Sequence, residues 1–174
     1  MQHTVYLSLG SNLGDKKKNI LDAIQRINEL VGEVVRQSTL YVSEPWGFQS
    51  DHAFVNAAVC CHTSLTPHEV LAVTQQIERE MGRHHKSRRN AAGQIEYHDR
   101  TIDIDILLYD DLTVDTPELS IPHPLMHKRD FVMVPLREIL SELGTRGVLA
   151  RKKQSLLRVI GMKRSKTLNA SKRQ

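Results

Sequence analysis

Within residues 101–108, every second side chain is a large aliphatic one. Ile102, Ile104, Ile106 and Leu108 fill one set of positions, and Thr101, Asp103, Asp105 and Leu107 fill the other. β-Branched residues with this period predict a β-strand whose isoleucines face a core. Asp103 and Asp105 then lie together on the opposite face, with Cα atoms roughly 6.5–7 Å apart along the strand. A sheet strand that carries two carboxylates on one face is the strongest constraint in this chain.

The carboxylate pair has two interpretations at this stage. Neighbouring carboxylates repel each other, and a divalent cation or a pair of cations relieves that repulsion, with Mg²⁺ the best match to oxygen-only ligands. Arg100, just upstream, has the geometry to hold a phosphate by a bidentate contact. Acidic residues on the wet face of an edge strand are also common. Leu107 continues the Asp face as an apolar residue, so this face is not simply solvated.

The order of the predicted elements indicates the fold class. Strands are predicted at residues 4–9, 34–41, 54–63 and 99–109, and helices at residues 15–32 and 66–82. The order strand, helix, strand, strand, helix, strand is typical of an α+β, ferredoxin-like βαββαβ antiparallel sheet with helices packed on one face. Residues 131–140 predict a further short apolar helix. This fold hosts enzymes, RNA binders and metal carriers, so the function has to come from the site.

Length and composition predict one cytoplasmic domain. The chain has 174 residues, no apolar run of membrane-spanning length and no signal-peptide pattern at its N-terminus. The two cysteines, Cys60 and Cys61, are adjacent and cannot form a normal structural disulfide. We therefore expect a protein of the cytoplasm that does not bind a membrane.

The charge is distributed unevenly along the chain. Residues 144–174 hold ten of the 24 Lys and Arg and no acid, whereas the other fourteen share residues 1–143 with all 20 Asp and Glu. A basic tail is typical of a nucleic-acid arm or of a solvated end without a partner. No aromatic residue follows Phe131, which disfavours base stacking. We expect a domain at 1–143 and a basic tail at 144–174, disordered or partly helical, that binds no nucleic acid.

Further candidate groups lie outside the Asp strand. Phe54 and Asn56 share a face of the third predicted strand, where they would stack on a flat heterocycle and hydrogen-bond its edge, or serve as a core Phe and a turn-end Asn. Residues 83–89 form a cationic loop that would close over polyphosphate or remain a solvated loop. The histidines in this loop are too irregularly spaced to indicate a zinc site.

Several stretches in this order resemble the 6-hydroxymethyl-7,8-dihydropterin pyrophosphokinase family of folate biosynthesis. The stretches that carry the resemblance are Leu7-Ser-Leu-Gly-Ser-Asn-Leu-Gly-Asp15, residues 41–56, Gln75-Gln-Ile-Glu78 with Gly82-Arg83, Arg100-Thr-Ile-Asp-Ile-Asp105, Ile121-Pro-His-Pro124 and Arg129-Asp-Phe131. Together they cover most of residues 4–140, and the resemblance ends at about residue 143. It implies a transferase that moves the terminal pyrophosphate of ATP to the pterin hydroxymethyl group and releases AMP.

The resemblance also implies roles for individual residues. Asp103 and Asp105 would ligate two Mg²⁺ ions, and with Arg83 and Arg100 they would be catalytic. The expected pterin-binding residues are Ser43, Pro45, Phe54, Asn56 and Phe131. The expected nucleotide-binding residues are Gln75, Glu78, Arg83, Arg100, His123 and Arg129. The expected partners are ATP and the hydroxymethyl-dihydropterin, and we expect a monomer.

Two other functions compete with this one. An RNA-binding module of the same fold would need exposed aromatic residues on the central strands, where this chain carries the Asp pair. A Mg²⁺-dependent phosphohydrolase would use the same two carboxylates but leaves Phe54, Asn56 and Phe131 without a role. The product distinguishes them, because AMP indicates pyrophosphoryl transfer whereas ADP or free phosphate indicates the alternatives.

Overall fold

The computed structural model describes most of the chain up to residue 141. The described residues are 1–44, 52–82, 88–89, 91–92, 95–96, 100–141, 157–158 and 161. The predicted site residues Pro45 and Arg83 lie outside them, as does most of the predicted basic tail.

A five-stranded antiparallel sheet forms the centre of the molecule. Its strands are β1 (His3–Ser11), β2 (Glu33–Gln37), β3 (Tyr41–Ser43), β4 (Phe54–Thr63) and β7 (Asp103–Tyr109). They lie in the order β2-β4-β1-β7, with β3 also pairing with β4. Two short hairpins pair β5 (Arg88–Arg89) with β6 (Ile95–Glu96) and β8 (Val114–Asp115) with β9 (Ser120–Ile121).

The predicted second strand is two strands, so its continuous assignment to residues 34–41 is wrong. β2 pairs with the second half of β4 and β3 with the first. Ser38 lies at the break, where its backbone N–H donates to the Ala58 carbonyl (2.8 Å) and its Oγ accepts from the Ala58 N–H (2.9 Å). Ser side chains compete with backbone ladders in this way, which interrupts a strand without leaving polar groups unpaired.

Three helices pack on the sheet: α1 (Lys16–Leu30), α2 (Pro67–Glu80) and α3 (Asp130–Ser141). The first two begin with side-chain caps. Asp15 accepts from the Lys18 N–H at the start of α1, and Thr66 forms a reciprocal capping box with Glu69 at the start of α2. These side chains satisfy backbone N–H groups that have no partner inside the helix.

The core has two parts, one on each face of the sheet. Odd-numbered residues of β1, such as Val5 and Leu7, pack with α1 and α2 in the first cluster. Tyr6 and Cys60 face the other way and pack under α3 in the second cluster. The fold is thus α+β with helices on both faces of the sheet. The expectation of helices on one face holds for α1 and α2, but α3 packs on the opposite face.

The predicted alternation along β7 fails at its end. Ile104 and Ile106 belong to the first cluster as expected, but Leu108 joins Leu107 in the second. The register against β1 shifts between Tyr6 and Leu7, which marks a bulge at this point of the pair. An extra residue in one strand turns the following side chains to the other face. Asp103 and Asp105 precede the bulge and keep the predicted side.

Candidate active site

A pocket opens on the α3 face of the sheet, beside the N-terminal end of α3. It holds about 470 Å³ of empty space counted out to its open mouth. Its lining consists of Ser8, Leu9, Gly10, Ser43, Glu44, Phe54, Asn56, Arg100, Asp103, Asp105, Arg129 and Phe131.

Strand β1 forms the floor of this pocket with small residues. Gly10 pairs with Asn56 on one side and with Asp103 on the other. A Cβ atom at Gly10 would lie 3.3 Å from Asn56 Oδ1 and 3.5 Å from Phe54 Cδ1. Glycine in a strand often marks such a close approach. The absence of a side chain at Gly10 therefore leaves the space between Asn56 and Asp103 open.

Asp103 and Asp105 both line the pocket, which confirms that they share a face. The Arg100 guanidinium lies 3.0 Å from Asp103 Oδ2, and the two side chains are 9% and 18% exposed. This ion pair offsets part of the repulsion between the two carboxylates. Within the described residues, no group of three or more His, Cys, Asp and Glu side chains is placed to hold a metal ion.

Two aromatic rings line the pocket, each with an arginine over it. Phe54 begins β4 and is buried, and the Arg100 guanidinium carbon lies 5.5 Å from its ring centre. Phe131 lies in the first turn of α3, and the Arg129 guanidinium carbon lies 5.8 Å from its ring centre. At these distances the cations interact favourably with the aromatic faces. The site thus combines flat apolar surface with positive charge.

The Asn56 amide is fixed by the short strand β3. Its Nδ2 donates to the Tyr41 carbonyl (3.0 Å) and to Ser43 Oγ (2.8 Å). An amide nitrogen has two hydrogens, and both are used by these bonds. A ligand therefore meets the Asn56 amide through its acceptor Oδ1. The hydrogen bond that the sequence predicts between Asn56 and the edge of a heterocycle is therefore one that the amide accepts.

The adjacent cysteines do not serve as nucleophiles at this pocket. Both are fully buried, and neither belongs to the pocket lining. Burial, with a smaller effect from Cys60, raises the pKa of the Cys61 thiol to about 12. Since the thiolate is the reactive form, Cys61 stays inert at neutral pH.

The sequence matches the family described as 7,8-dihydro-6-hydroxymethylpterin-pyrophosphokinase (HPPK) over residues 6–141. The match covers every residue that lines the pocket. The chain belongs to this family.

Individual HPPK relatives agree with this assignment. The 2-amino-4-hydroxy-6-hydroxymethyldihydropteridine pyrophosphokinase of Porphyromonas gingivalis strain ATCC 33277 is 48% identical over 136 residues, which cover 78% of this chain and 89% of the relative. The enzyme of the same name from Bacillus subtilis is 35% identical over 160 residues, which cover 91% of both chains. The family match ends at residue 141, close to the expected end of the resemblance at residue 143, whereas the Bacillus subtilis match covers more of the chain.

Solved structures support the fold. A wild-type HPPK-DHPS from Plasmodium falciparum, solved with pteroate, superposes with a TM-score of 0.61 at 17% identity. The match covers 79% of this chain and 39% of that one. Another HPPK-DHPS, solved in complex with substrates, has a TM-score of 0.59 and covers 92% of this chain and 44% of its own. The chain therefore spans less than half the length of these structural neighbours.

The structure brings many of the residues expected from the HPPK resemblance into one pocket. The lining includes Ser43, Phe54, Asn56, Arg100, Asp103, Asp105, Arg129 and Phe131. Three expected nucleotide contacts lie outside it. Gln75 and Glu78 are on α2, across the sheet, and Glu78 is only 2% exposed. His123 accepts from the Leu125 N–H through Nδ1 (3.2 Å). Their nucleotide roles stay predictions.

Four lining residues were missed at the sequence level: Ser8, Leu9, Gly10 and Glu44. The signal for two of them was present, because Ser8 and Gly10 alternate with the apolar Leu7 and Leu9. A polar or small set on one face of an apolar strand marks the face that does not enter the main core. For Glu44 the sequence carries no comparable signal.

None of the helices in the described part of the chain has the length and apolar composition needed to cross a membrane.

Proposed function

We propose that this protein transfers the terminal pyrophosphoryl group of ATP to 6-hydroxymethyl-7,8-dihydropterin, in the pathway that makes tetrahydrofolate. The hydroxymethyl oxygen attacks the β-phosphorus of ATP, and a new O–P bond forms. The bond from that phosphorus to the oxygen shared with the α-phosphate breaks, AMP leaves, and the hydroxyl proton is released. The observation that carries the proposal is one pocket holding a carboxylate pair, an amide acceptor and two aromatic rings in a chain of the HPPK family.

The spacing of the strands supports this arrangement. Asn56, Gly10 and Asp103 are paired neighbours on three adjacent strands. Adjacent strands lie about 4.7–4.9 Å apart, so the Cα atoms of Asn56 and Asp103 are separated by roughly 10 Å. A fused bicycle that carries a hydroxymethyl group is about that long. A pterin whose amino edge meets Asn56 would therefore bring its hydroxyl to the carboxylate pair.

The pterin is held by stacking and by its edges. Phe54 and Phe131 would enclose the flat ring, with Ser43, Pro45 and Asn56 at its polar edge. The Asn56 amide presents an acceptor, which matches the N–H donors on the amino side of a pterin. Stacked aromatic pairs contribute roughly 0.5–1.5 kcal/mol each beyond the area they bury.

The donor set fits magnesium. Asp103 and Asp105 supply hard oxygen atoms, and Mg²⁺ is usually held by one or two carboxylates together with substrate phosphates. We propose that this pair holds two Mg²⁺ ions when ATP is bound. Such ions would supply positive charge that neutralises the phosphates.

The arginines and the remaining family positions would hold the triphosphate. Arg100 and Arg129 line the pocket, and their fixed charge stabilises the negative charge that develops during transfer. Arg83 and His123 would contact phosphates, Gln75 the adenine, and Glu78 the nucleotide side of the site. Phosphoryl transfer needs positioning and charge neutralisation rather than a covalent nucleophile, so these groups suffice.

The fold and assembly complete the proposal. The order β2-β4-β1-β7 with all neighbours antiparallel supports a ferredoxin-like βαββαβ arrangement to which α3 is added. We propose that the enzyme is a monomer. We propose that the enzyme acts in the cytoplasm on small molecules and binds neither nucleic acid nor membrane.

Neutralising the carboxylates one at a time tests the metal assignment. Asp103→Asn and Asp105→Asn remove a metal-ligating charge and keep the side-chain shape. We expect each variant to lose turnover by at least about 100-fold while it stays folded and still binds pterin. Turnover is measured as AMP formation with Mg²⁺, ATP and the hydroxymethyl-dihydropterin.

Asp110→Asn is the matched control, because Asp110 is at the far end of β7, where it accepts from the Thr4 N–H and contacts His3. It should leave turnover near wild type. Near-normal turnover in Asp103→Asn or Asp105→Asn at ordinary Mg²⁺ would end the metal assignment.

A further inference from the structure

Asn12 is fully buried directly after β1, next to the pocket but outside its lining. Buried side-chain amides are costly unless their polar atoms are hydrogen-bonded. The partners of this amide therefore show what it holds in place.

The first partner is the backbone of Arg100, 88 residues away in sequence. The Asn12 N–H donates to the Arg100 carbonyl at 3.1 Å, and the Arg100 N–H donates to Asn12 Oδ1 at 2.6 Å. One residue thus holds both backbone polar groups of Arg100. This fixes the orientation of the Arg100 backbone just before β7.

The second partner is the segment that leads into β4. Asn12 Nδ2 donates to the His52 carbonyl at 3.3 Å, two residues before Phe54. The same amide therefore joins the segment that carries Arg100 to the segment that carries Phe54. The side chains of these two residues meet, with the guanidinium carbon 5.5 Å from the ring centre.

Arg100 depends on this placement because its guanidinium serves two groups at once. It forms the 3.0 Å ion pair with Asp103 and also covers Phe54. A guanidinium is a rigid planar fork, so both contacts are lost if the backbone that carries it rotates. The position of the Arg100 backbone thus sets the geometry at the carboxylate pair and at the aromatic ring.

We propose that Asn12 is a positioning residue of the pyrophosphoryl-transfer site. It acts through Arg100 and aligns the carboxylate end of the pocket with the aromatic end. This inference rests on the proposed function for the role of Arg100, and it adds a residue that touches neither substrate.

The test compares Asn12→Ala and Asn12→Ser with Asn19→Ala. Asn19 is a matched control because its amide also ties the turn after β1, donating to Ser11 Oγ (3.2 Å) and to the Leu13 carbonyl (2.8 Å). All variants are compared by thermal melt and by kcat. We expect the Asn12 variants to lose about 10- to 100-fold in kcat at temperatures where they are folded. The Asn19 variant should lose melting temperature only.

A double-mutant cycle separates positioning from general stability. If Asn12 acts through Arg100, Asn12→Ala should change kcat and pterin affinity little further in an Arg100→Ala background. Hydrogen exchange of the Arg100 amide gives a readout that needs no reaction, and it should accelerate in Asn12→Ala but not in Asn19→Ala.

Several results would overturn the inference. One is a kcat for Asn12→Ala equal to that of Asn19→Ala, and another is an equal loss of kcat from Asn12→Ala in the wild-type and Arg100→Ala backgrounds. Unchanged hydrogen exchange of the Arg100 amide would also overturn it, as would two Asn12 variants that fail to fold while Asn19→Ala folds. Failure of the proposed function is a different result, because the wild-type protein would then form no AMP at all.

Discussion

Gly10 leaves space in the pocket because it has no side chain. A Cβ there would approach Asn56 Oδ1 to 3.3 Å, closer than most real Cβ contacts. We expect Gly10→Ala to push the amide or the Phe54 ring by a few tenths of an ångström and to weaken pterin binding by about 1–3 kcal/mol. Nucleotide affinity should change little. Calorimetric titration with each ligand measures both.

Ser8→Ala is the control for this change, since it alters the same floor without adding volume. It should bind pterin nearly as well as wild type. A Gly10→Ala protein with wild-type pterin affinity would show that the amide position does not determine substrate binding.

Substituting Phe131 distinguishes a role in stacking on the pterin from a role in the core. It is half-buried and packs partly against the second cluster while it also lines the pocket. Phe131→Ala should therefore weaken pterin binding strongly, leave nucleotide binding nearly unchanged, and cost less than the 3–5 kcal/mol of a fully buried Phe. Titration with each ligand beside a thermal melt provides the comparison.

Leu136, fully buried on the same helix, is the stability control. Leu136→Ala should cost about 2–5 kcal/mol and harm both ligands together through unfolding. The stacking role of Phe131 would be refuted by a folded Phe131→Ala protein that binds pterin as wild type does.

The site residues differ in how far the sequence predicted them. Asp103 with Asp105 and Phe54 with Asn56 follow from the period of a strand, because residues two apart share a face. Gly10 and Asn12 gain their roles from contacts across the sheet and between distant segments. Those contacts depend on strand register, which a single strand pattern does not specify.

At the scale of elements, local signals predicted the helices better than the strands. Asp15, Thr66 and Glu69 cap helices through bonds within three residues, so their sequence pattern is enough. The break between β2 and β3 and the bulge in β7 depend on partner strands. The sequence pattern alone therefore predicted β2 and β3 as one strand and placed Leu108 on the wrong face of the sheet.

Ser38 tests the break between β2 and β3. Ser38→Ala removes the acceptor for the buried Ala58 N–H, which should cost about 1–3 kcal/mol of stability. Because β3 carries Ser43 and the Tyr41 carbonyl that hold Asn56, we also expect weaker pterin binding. Denaturant unfolding and pterin titration measure the two effects.

Ser64→Ala, at an exposed turn after β4, is the control and should change neither quantity. A Ser38→Ala protein of wild-type stability would contradict the role assigned to the hydroxyl.

At the scale of the whole molecule, Leu157 is one of the few residues after residue 143 that the structure describes. Leu157 is half-buried and packs against the second cluster, which includes Tyr6 and Cys60. We propose that residues 1–143 contain the whole active site and that the basic segment mainly stabilises the α3 face. Ending the chain after Leu143 should thus lower the melting temperature while the folded protein keeps most of its turnover.

Leu157→Asp tests the contact without removing the segment, with Arg158→Asp as the control because Arg158 is exposed. We expect the first to be destabilised and the second to melt close to wild type. A truncated protein that is folded but inactive would show that the segment contributes to the site.

The most direct test of the central claim follows the phosphate that is transferred. The wild-type protein is incubated with Mg²⁺, 6-hydroxymethyl-7,8-dihydropterin and ATP that carries a radioactive label in its γ-phosphate. The account predicts that the label moves to the pterin, that the pterin gains two phosphates, and that one AMP forms for each pterin diphosphate. Label recovered as free phosphate, or ADP formed in place of AMP, would contradict it.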